Sequence, residues 1–280
     1  HVLFRISTNT HGAELWISDG TAANTHILKD INPGPNSATP HHLIKVDDLV
    51  YFRANEETIG DAIWRTDGTE TGTELVVDVM PDLDDFSDPY QEIMAYVGNQ
   101  FFLNAYRPEY GYEYWRSDGT AAGTWLLKDI APGSFSSARP TEGNYIGFDG
   151  EFYFYADDND TYGAELWRSD GTPNNTVLVK DINVGGDDSA VQYLTVVNGR
   201  LFFAATDGIH GQELWVSDGT EGGTTMVADI NPDGNSIGGY GNIYESYTTL
   251  NGLYYFAAND GIHGTELWQS DGTPEGTVMV

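Results

Sequence analysis

Imidazole and phenol side chains recur at one position of this chain, each directly before a glycine. They are His11, Tyr110, Tyr162, His210 and His263. Aromatic rings can stack on the faces of sugars, and imidazole nitrogens can bind metals or carry protons. We therefore expect these five side chains to form a ligand-binding row at one end of the fold. The alternative is a position that accepts flat side chains because they pack over the next turn.

Carboxylates form a second candidate site. Asp157, Asp158 and Asp160 follow one another closely, and further acidic stretches lie at 82–88 and 185–189. Oxygen-rich loops of this kind hold Ca²⁺, although none of the three has the spacing of an EF-hand. The sequence predicts a Ca²⁺ site at Asp157, Asp158 and Asp160, with plain solvated charge as the alternative.

Catalytic motifs are sparse. The chain has no Cys, and it lacks the Gly-x-Ser-x-Gly, His-Glu-x-x-His and phosphate-loop patterns. The basic and imidazole residues outside the repeated pattern include His41, His42, Lys45, Arg53, Arg107 and Arg139. With a nearby Tyr or carboxylate they could supply the acid and base of a polysaccharide lyase or hydrolase. The sequence favours a non-enzymatic protein, and an enzyme stays the alternative.

Charge excludes some partners. The 280 residues carry 43 acidic and 12 basic side chains, a formal net charge of −31. Such a field repels nucleic acid, whose binding depends on Lys and Arg. No apolar run approaches the roughly 18–20 residues that span a bilayer, so we expect no membrane insertion. Apolar residues make up 40%, which is enough for a sizeable core.

The elements that position these residues follow from a repeat. Six tryptophans recur at steps of 48 to 53 residues, each within a Glu-Leu-Trp-x-Ser-Asp-Gly-Thr pattern; they are Trp16, Trp64, Trp115, Trp167, Trp215 and Trp268. A period near 50 residues indicates one supersecondary unit stacked repeatedly. In the clearest unit, 192–230, four short β-branched and aromatic runs alternate with turn signals such as Asn198-Gly199, which is typical of antiparallel strands.

Four strands per unit predict an all-β fold, a β-propeller of six blades with four antiparallel strands each. The units fall at about 1–48, 49–99, 100–150, 151–199, 200–252 and 253–280 of one domain. Val2 aligns with the second strand of the unit, so we expect one blade to be incomplete and the chain to belong to a longer polypeptide. A larger ring with missing blades is the alternative.

The repeated residues themselves are interpreted as scaffold. Each Trp offers an apolar plate to the neighbouring blade, and each Ser-Asp-Gly-Thr forms a turn in which Asp accepts backbone N–H bonds. The Glu two residues before each Trp, replaced by Ala62 in the second unit, would need a hydrogen-bonding partner inside a blade junction.

This pattern, followed by Val-x-Asp-Ile-x-Pro-Gly, resembles the ELWxxDGT repeat of large bacterial proteins over essentially the whole chain. The resemblance implies a secreted or surface-associated protein, without implying a reaction. We therefore predict an extracellular or cell-surface propeller with a structural, adhesive or glycan-binding role, whose partners are glycans or other surface proteins. A carbohydrate-active enzyme and a subunit of a surface assembly or filament are the alternatives. Ca²⁺ is the only cofactor expected.

Overall fold

The computed structural model describes residues 1–77, 92–120, 122–138, 143–238 and 247–280, which form six antiparallel sheets. Sheet 1 holds β1 (Val2–Thr8), β2 (Gly12–Ser18) and β3 (His26–Lys29). Sheet 2 holds β4 (His41–Val46), β5 (Leu49–Glu56), β6 (Gly60–Thr66) and β7 (Glu74–Val77). Sheet 3 holds β8 (Glu92–Val97), β9 (Gln100–Arg107), β10 (Gly111–Ser117) and β11 (Trp125–Leu126).

The remaining three sheets repeat this order. Sheet 4 holds β12 (Tyr145–Phe148), β13 (Glu151–Asp157), β14 (Ala164–Ser169) and β15 (Val177–Lys180). Sheet 5 holds β16 (Gln192–Val197), β17 (Arg200–Thr206), β18 (Gln212–Ser217) and β19 (Thr225–Ala228). Sheet 6 holds β20 (Tyr247–Leu250), β21 (Leu253–Asn259), β22 (Thr265–Ser270) and β23 (Val278–Met279).

Strand order follows chain order in every sheet. Sheet 1 has three strands and the other sheets have four, which confirms the predicted all-β architecture and its incomplete first unit. In the described residues the only helices are the one-turn 3₁₀ segments Ala22–Asn24 and Pro173–Asn175. Each of these short segments lies between the last two strands of its sheet.

The hairpins between first and second strands have the backbone that the sequence predicted. Asn198 and Gly199 both take positive φ, 48° and 73°, as a type I′ turn requires. Asn and Gly tolerate this left-handed conformation better than other residues do. Asn251 and Gly252 repeat it with φ of 52° and 78°.

The repeated tryptophans bury their rings against the preceding sheet. Trp215 of sheet 5 lies in one apolar cluster with Leu166 and Val179 of sheet 4. Trp64 of sheet 2 lies in another with Leu15 and Leu28 of sheet 1. The predicted role of the Trp as an apolar plate between neighbouring units is therefore confirmed at these two junctions.

The Ser-Asp-Gly-Thr turns are stabilised by their own aspartates. Asp218 Oδ1 accepts bonds from the backbone N–H and the hydroxyl of Thr220 at 2.9 and 2.7 Å. Ser217 Oγ accepts the N–H of Gly219 at 2.9 Å. The same Asp–Thr bonds recur in the other five sheets, which confirms the structural interpretation of this motif.

The described chain divides into two compact units. Unit 1 comprises His1–Ala105 and Trp115–Trp125, and unit 2 comprises Tyr106–Tyr114 and Leu126–Val280. Unit 1 therefore contains all of sheets 1 and 2, and unit 2 contains all of sheets 4, 5 and 6.

Candidate functional site

The repeated glutamates hold the connections between sheets. Glu165 is fully buried, and its carboxylate accepts the backbone N–H groups of Ile182 and Asn183 at 3.1 and 3.0 Å. The same connection reaches the next sheet, because the N–H of Thr206 donates to Ser189 O at 2.8 Å. The hydrogen-bonding partner that the sequence required for each Glu is thus supplied, at Glu165, by backbone N–H groups of the connecting segment.

Burial raises the pKa of these carboxyl groups. The pKa of Glu165 rises to about 7 because desolvation outweighs its hydrogen bonds. The pKa of Glu14 also rises to about 7, and that of Glu113 to about 8, in both cases chiefly through burial. A perturbed carboxyl can mark a catalytic acid. Here the bonds of Glu14 and Glu113 to the connections at 31–38 and 131–137 identify a scaffold role.

The predicted ligand-binding row lies in equivalent loops, between β1 and β2 in sheet 1 and between second and third strands in sheets 3 to 6. The rings of His210 and His263 turn back to their own loops. His210 Nδ1 lies 2.7 Å from Asp207 Oδ2, and His263 Nδ1 lies 2.6 Å from Asp260 Oδ2. The paired carboxylate raises the pKa of each histidine. Each ring therefore closes a loop of Asp-Gly-Ile-His sequence.

The other members of the row have different surroundings. His11 lies in unit 1, where its Nδ1 is 2.9 Å from the hydroxyl of Thr10. Tyr110 and Tyr162 lie in unit 2, and Tyr162 is 37% exposed. The use of these five residues as ligand-binding residues stays a prediction.

In the predicted calcium loop, carboxylate oxygens accept hydrogen bonds from backbone N–H groups of the loop itself. Asp158 Oδ1 accepts the N–H groups of Asp160, Thr161 and Tyr162 at 3.3, 3.1 and 3.0 Å. Asp157 is buried, and its Oδ1 accepts the N–H of Asn159 at 2.7 Å. Within the described ranges no three His, Cys, Asp or Glu side chains are grouped to hold a metal ion. The acidic stretch 82–88 lies outside the described residues, and the Ca²⁺ site stays a prediction.

Three of the non-repeated residues, His41, His42 and Arg53, lie together on sheet 2. Arg53 is 3% exposed and forms an ion pair with Asp61. The ring of His41 lies 4.9 Å from that of His42, and His41 Nδ1 lies 2.7 Å from the carbonyl oxygen of Thr39. Because a carbonyl only accepts, this nitrogen carries the proton.

The surroundings of His41 favour a neutral imidazole. Burial lowers its pKa, and the charge of Arg53 lowers it further. The contacts of these residues join three strands, because Arg53 of β5 pairs with His41 of β4 in the sheet and forms its ion pair with Asp61 of β6. Arg139, predicted as a companion of these residues, lies outside the described residues.

A cavity in unit 1 offers a concave site. It lies between sheets 1 and 2 and has a volume of about 710 Å³. Its apolar wall is formed by Leu3, Ile17, Leu43 and Val50. Its rim carries charged and polar groups from both sheets: His1, Asn24, His26, Lys45, Asp48, Asp67 and Thr69. An apolar interior with a few polar groups at the edge is typical of sites for small ligands.

The sequence does not indicate this cavity. Its walls come from separate repeats, and Leu3 and Ile17 follow the usual pattern of strand residues. Lys45 was noted only as a residue outside the repeat. Asp67 belongs to the Ser-Asp-Gly-Thr turn, where Oδ1 accepts the Thr69 N–H at 2.9 Å. That hydrogen bonding lowers the pKa of Asp67, so one side of the rim is anionic at neutral pH.

Solved structures show the class of fold. The chain matches a puromycin hydrolase S511A mutant complexed with PGG over 99% of its own length and 44% of that chain, with a TM-score of 0.56 and 12% identity. It matches a prolyl endopeptidase over 99% and 40%, with a TM-score of 0.52 and 12% identity. Prolyl oligopeptidase B from Galerina marginata, bound to a 25mer macrocyclization substrate, matches over 97% and 40%, with a TM-score of 0.51 and 11% identity.

These matches place the sheets in the β-propeller class. At such identities the likeness establishes the fold alone, and the chain spans less than half the length of the hydrolases it matches. No family model matches the sequence, and no curated protein matches it. The resemblance to the ELWxxDGT repeat is therefore neither supported nor contradicted.

The neighbours overturn the function expected from the sequence. A structural, adhesive or glycan-binding surface module was predicted, with a carbohydrate-active enzyme or a filament subunit as alternatives. The structures that share the fold are instead propeller domains of peptide hydrolases. The prediction failed because six similar units with no catalytic motif indicate an architecture without naming a partner. No helix among the described residues has the length and apolar character needed to cross a membrane.

Proposed function

We propose that the six sheets are the blades of one propeller and that this propeller binds peptides for a hydrolase. The observation that carries the proposal is the match of nearly the whole chain to the propeller part of puromycin hydrolase, which leaves over half of that protein unmatched. In this proposal the propeller holds the peptide, and bond cleavage takes place in a separate catalytic domain.

The side chains of this chain support the proposal that the propeller binds the peptide and a separate domain cleaves it. The carboxyl groups of Glu113 and Glu165, whose pKa values burial raises, hold the connections between sheets. The cavity between sheets 1 and 2 offers an apolar wall and rim groups of both charges, including Lys45 and Asp67. Peptides present apolar side chains together with charged termini, so such a site can bind both parts of one molecule.

Peptide binding is tested with a panel of fluorescein-labelled, unstructured ten-residue peptides of varied composition. Fluorescence anisotropy is measured against increasing protein at physiological ionic strength, and mass spectrometry checks each peptide afterwards. We expect a subset of the peptides to bind, unlabelled copies to displace them, and all of them to stay intact. Cleavage by the pure chain would contradict the assignment of catalysis to another domain, and failure of every peptide to bind would contradict the proposal.

A further inference from the structure

Aromatic side chains close the junctions between sheets 4, 5 and 6. The hydroxyl of Tyr153, on sheet 4, contacts the position that a Cβ on Gly219 of sheet 5 would occupy. Phe202 of sheet 5 repeats the arrangement, with Cζ 3.0 Å from the Cβ position of Gly272 on sheet 6. In both junctions a ring therefore lies over the glycine of the Ser-Asp-Gly-Thr turn in the following sheet.

Leu3 holds the corresponding position in sheet 1. Leu3 pairs with Ile17, the residue after the repeated Trp, just as Tyr153 pairs with Arg168 and Phe202 pairs with Val216. Leucine has no ring to extend over the next turn. At Gly68, the glycine facing this junction, the nearest atom to a Cβ position is Ile17 Cδ1 at 3.6 Å.

The cavity coincides with this difference. Leu3, Ile17 and Gly68 all line it. The space that a ring fills at the junctions of sheet 4 with sheet 5 and of sheet 5 with sheet 6 is therefore open between sheets 1 and 2. Its volume of about 710 Å³ exceeds that of one ring, which leaves room for the backbone that would carry the ring. Both walls belong to unit 1.

We propose that this cavity is a binding subsite for the aromatic side chain of a peptide. A phenylalanine or tyrosine ring lies over Gly68 against Leu3 and Ile17, where Tyr153 and Phe202 supply the ring in their own junctions. The inference rests on the proposed function and names the residue that the propeller selects. Lys45 and His26 on the rim face carboxylate or carbonyl groups of the peptide, and Asp48 faces its amino groups.

The chain offers a filling variant and a matched control. Leu3→Phe supplies the missing ring from within, as sheet 5 does with Phe202. Val2→Phe adds the same ring one residue earlier, on the opposite face of β1, where Val2 is 63% exposed. Successive side chains of a strand point to opposite faces, so the control leaves the cavity open. Leu3→Tyr reproduces sheet 4 and serves as a second filling variant if Leu3→Phe does not fold.

The probes are two fluorescein-labelled pentapeptides, Gly-Ser-Phe-Ser-Lys and Gly-Ser-Ala-Ser-Lys, whose binding is followed by fluorescence anisotropy. We expect the Phe peptide to bind the wild type and Val2→Phe alike, and to bind the filling variants at least about tenfold more weakly. The Ala peptide is expected to bind the wild type at least about tenfold more weakly than the Phe peptide. Near-ultraviolet circular dichroism confirms that each variant is folded.

Equal binding of the Phe and Ala peptides, or unchanged binding by a folded filling variant, would overturn the aromatic subsite. If neither pentapeptide binds while members of the ten-residue panel do, the subsite fails and the proposed function stands. If no peptide of either set binds, both fail.

Discussion

Lys180 of sheet 4 extends to sheet 5, where its Nζ lies 2.8 Å from the carbonyl oxygen of Thr224. Lys29 makes the same bond to Thr73 at 2.6 Å, and Lys128 makes it to Thr176 at 3.3 Å. Lys29 and Lys128 also lie over tryptophan rings, 5.9 Å from the ring centroid of Trp64 and 5.3 Å from that of Trp167. At each of these three junctions a different lysine therefore joins neighbouring sheets.

Replacing Lys180 with Met is expected to lower the free energy of unfolding by about 1–2 kcal/mol, because the change removes a charged donor from a backbone carbonyl. Thermal unfolding followed by circular dichroism measures the change. Lys45→Met is the control, since Lys45 is exposed on β4. A loss that is equal in the two variants would show that the bond to Thr224 contributes nothing specific.

The raised pKa of Glu165 predicts that the stability of the chain depends on pH. Its pKa is raised from 4.5 to about 7 in the folded chain. Below pH 4.5 the carboxyl is protonated in both states, and the stability that this raised pKa confers is fully present. Between about pH 4.5 and 7 only the unfolded chain releases the proton. Glu165 should therefore lower the free energy of unfolding by about 3 kcal/mol over this range, at about 1.4 kcal/mol per pKa unit, and the raised pKa values of Glu14 and Glu113 add to this fall.

The variant Glu165→Gln is expected to show a fall that is smaller by about 3 kcal/mol, because its side chain does not titrate. Glu266→Gln is the matched control, since Glu266 holds the same repeat position in sheet 6 and is exposed. Urea titrations at pH 5 and pH 7.5 give the two free energies for each protein. A fall as steep in Glu165→Gln as in the wild type and the control would rule out Glu165 as the source.

The predicted calcium site is tested at the loop of Asp157, Asp158 and Asp160. If the prediction is right, Ca²⁺ raises the melting temperature of EDTA-treated protein more than Mg²⁺ does, since the larger cation accepts flexible oxygen ligands. Asp160→Asn should remove most of that rise. Equal shifts with both cations, or an undiminished rise in the variant, would leave these carboxylates with only their bonds to the loop's own N–H groups.

Much of the fold was readable from the sequence because each unit repeats its own local signals. Asn198-Gly199 predicted a hairpin, and both residues have positive φ. The alignment of Val2 with second strands predicted that sheet 1 would have three strands. These features depend on residues close together in the chain, so periodicity and turn chemistry were sufficient to find them.

The candidate site, unlike the fold, could not be predicted from local sequence signals. The cavity is lined by Leu3 and Gly68, which lie over 60 positions apart in the chain, and Leu3 stands where the sister sheets carry Tyr153 and Phe202. A substitution of one apolar residue for another leaves the strand pattern unchanged. Conversely, His210 and His263 stood out by type, yet each bonds an aspartate three residues earlier. Single-residue chemistry could not distinguish a loop-closing histidine from a ligand-binding one.

Hydrogen–deuterium exchange of the chain with and without the labelled Phe pentapeptide is the decisive experiment for the peptide site. We expect the peptide to slow exchange at residues 1–3, 24–26, 43–50 and 66–69, which surround the cavity, and to leave sheets 4 to 6 unchanged. Exchange that stays the same throughout the chain at saturating peptide, or slowing confined to other sheets, would contradict a peptide site between sheets 1 and 2.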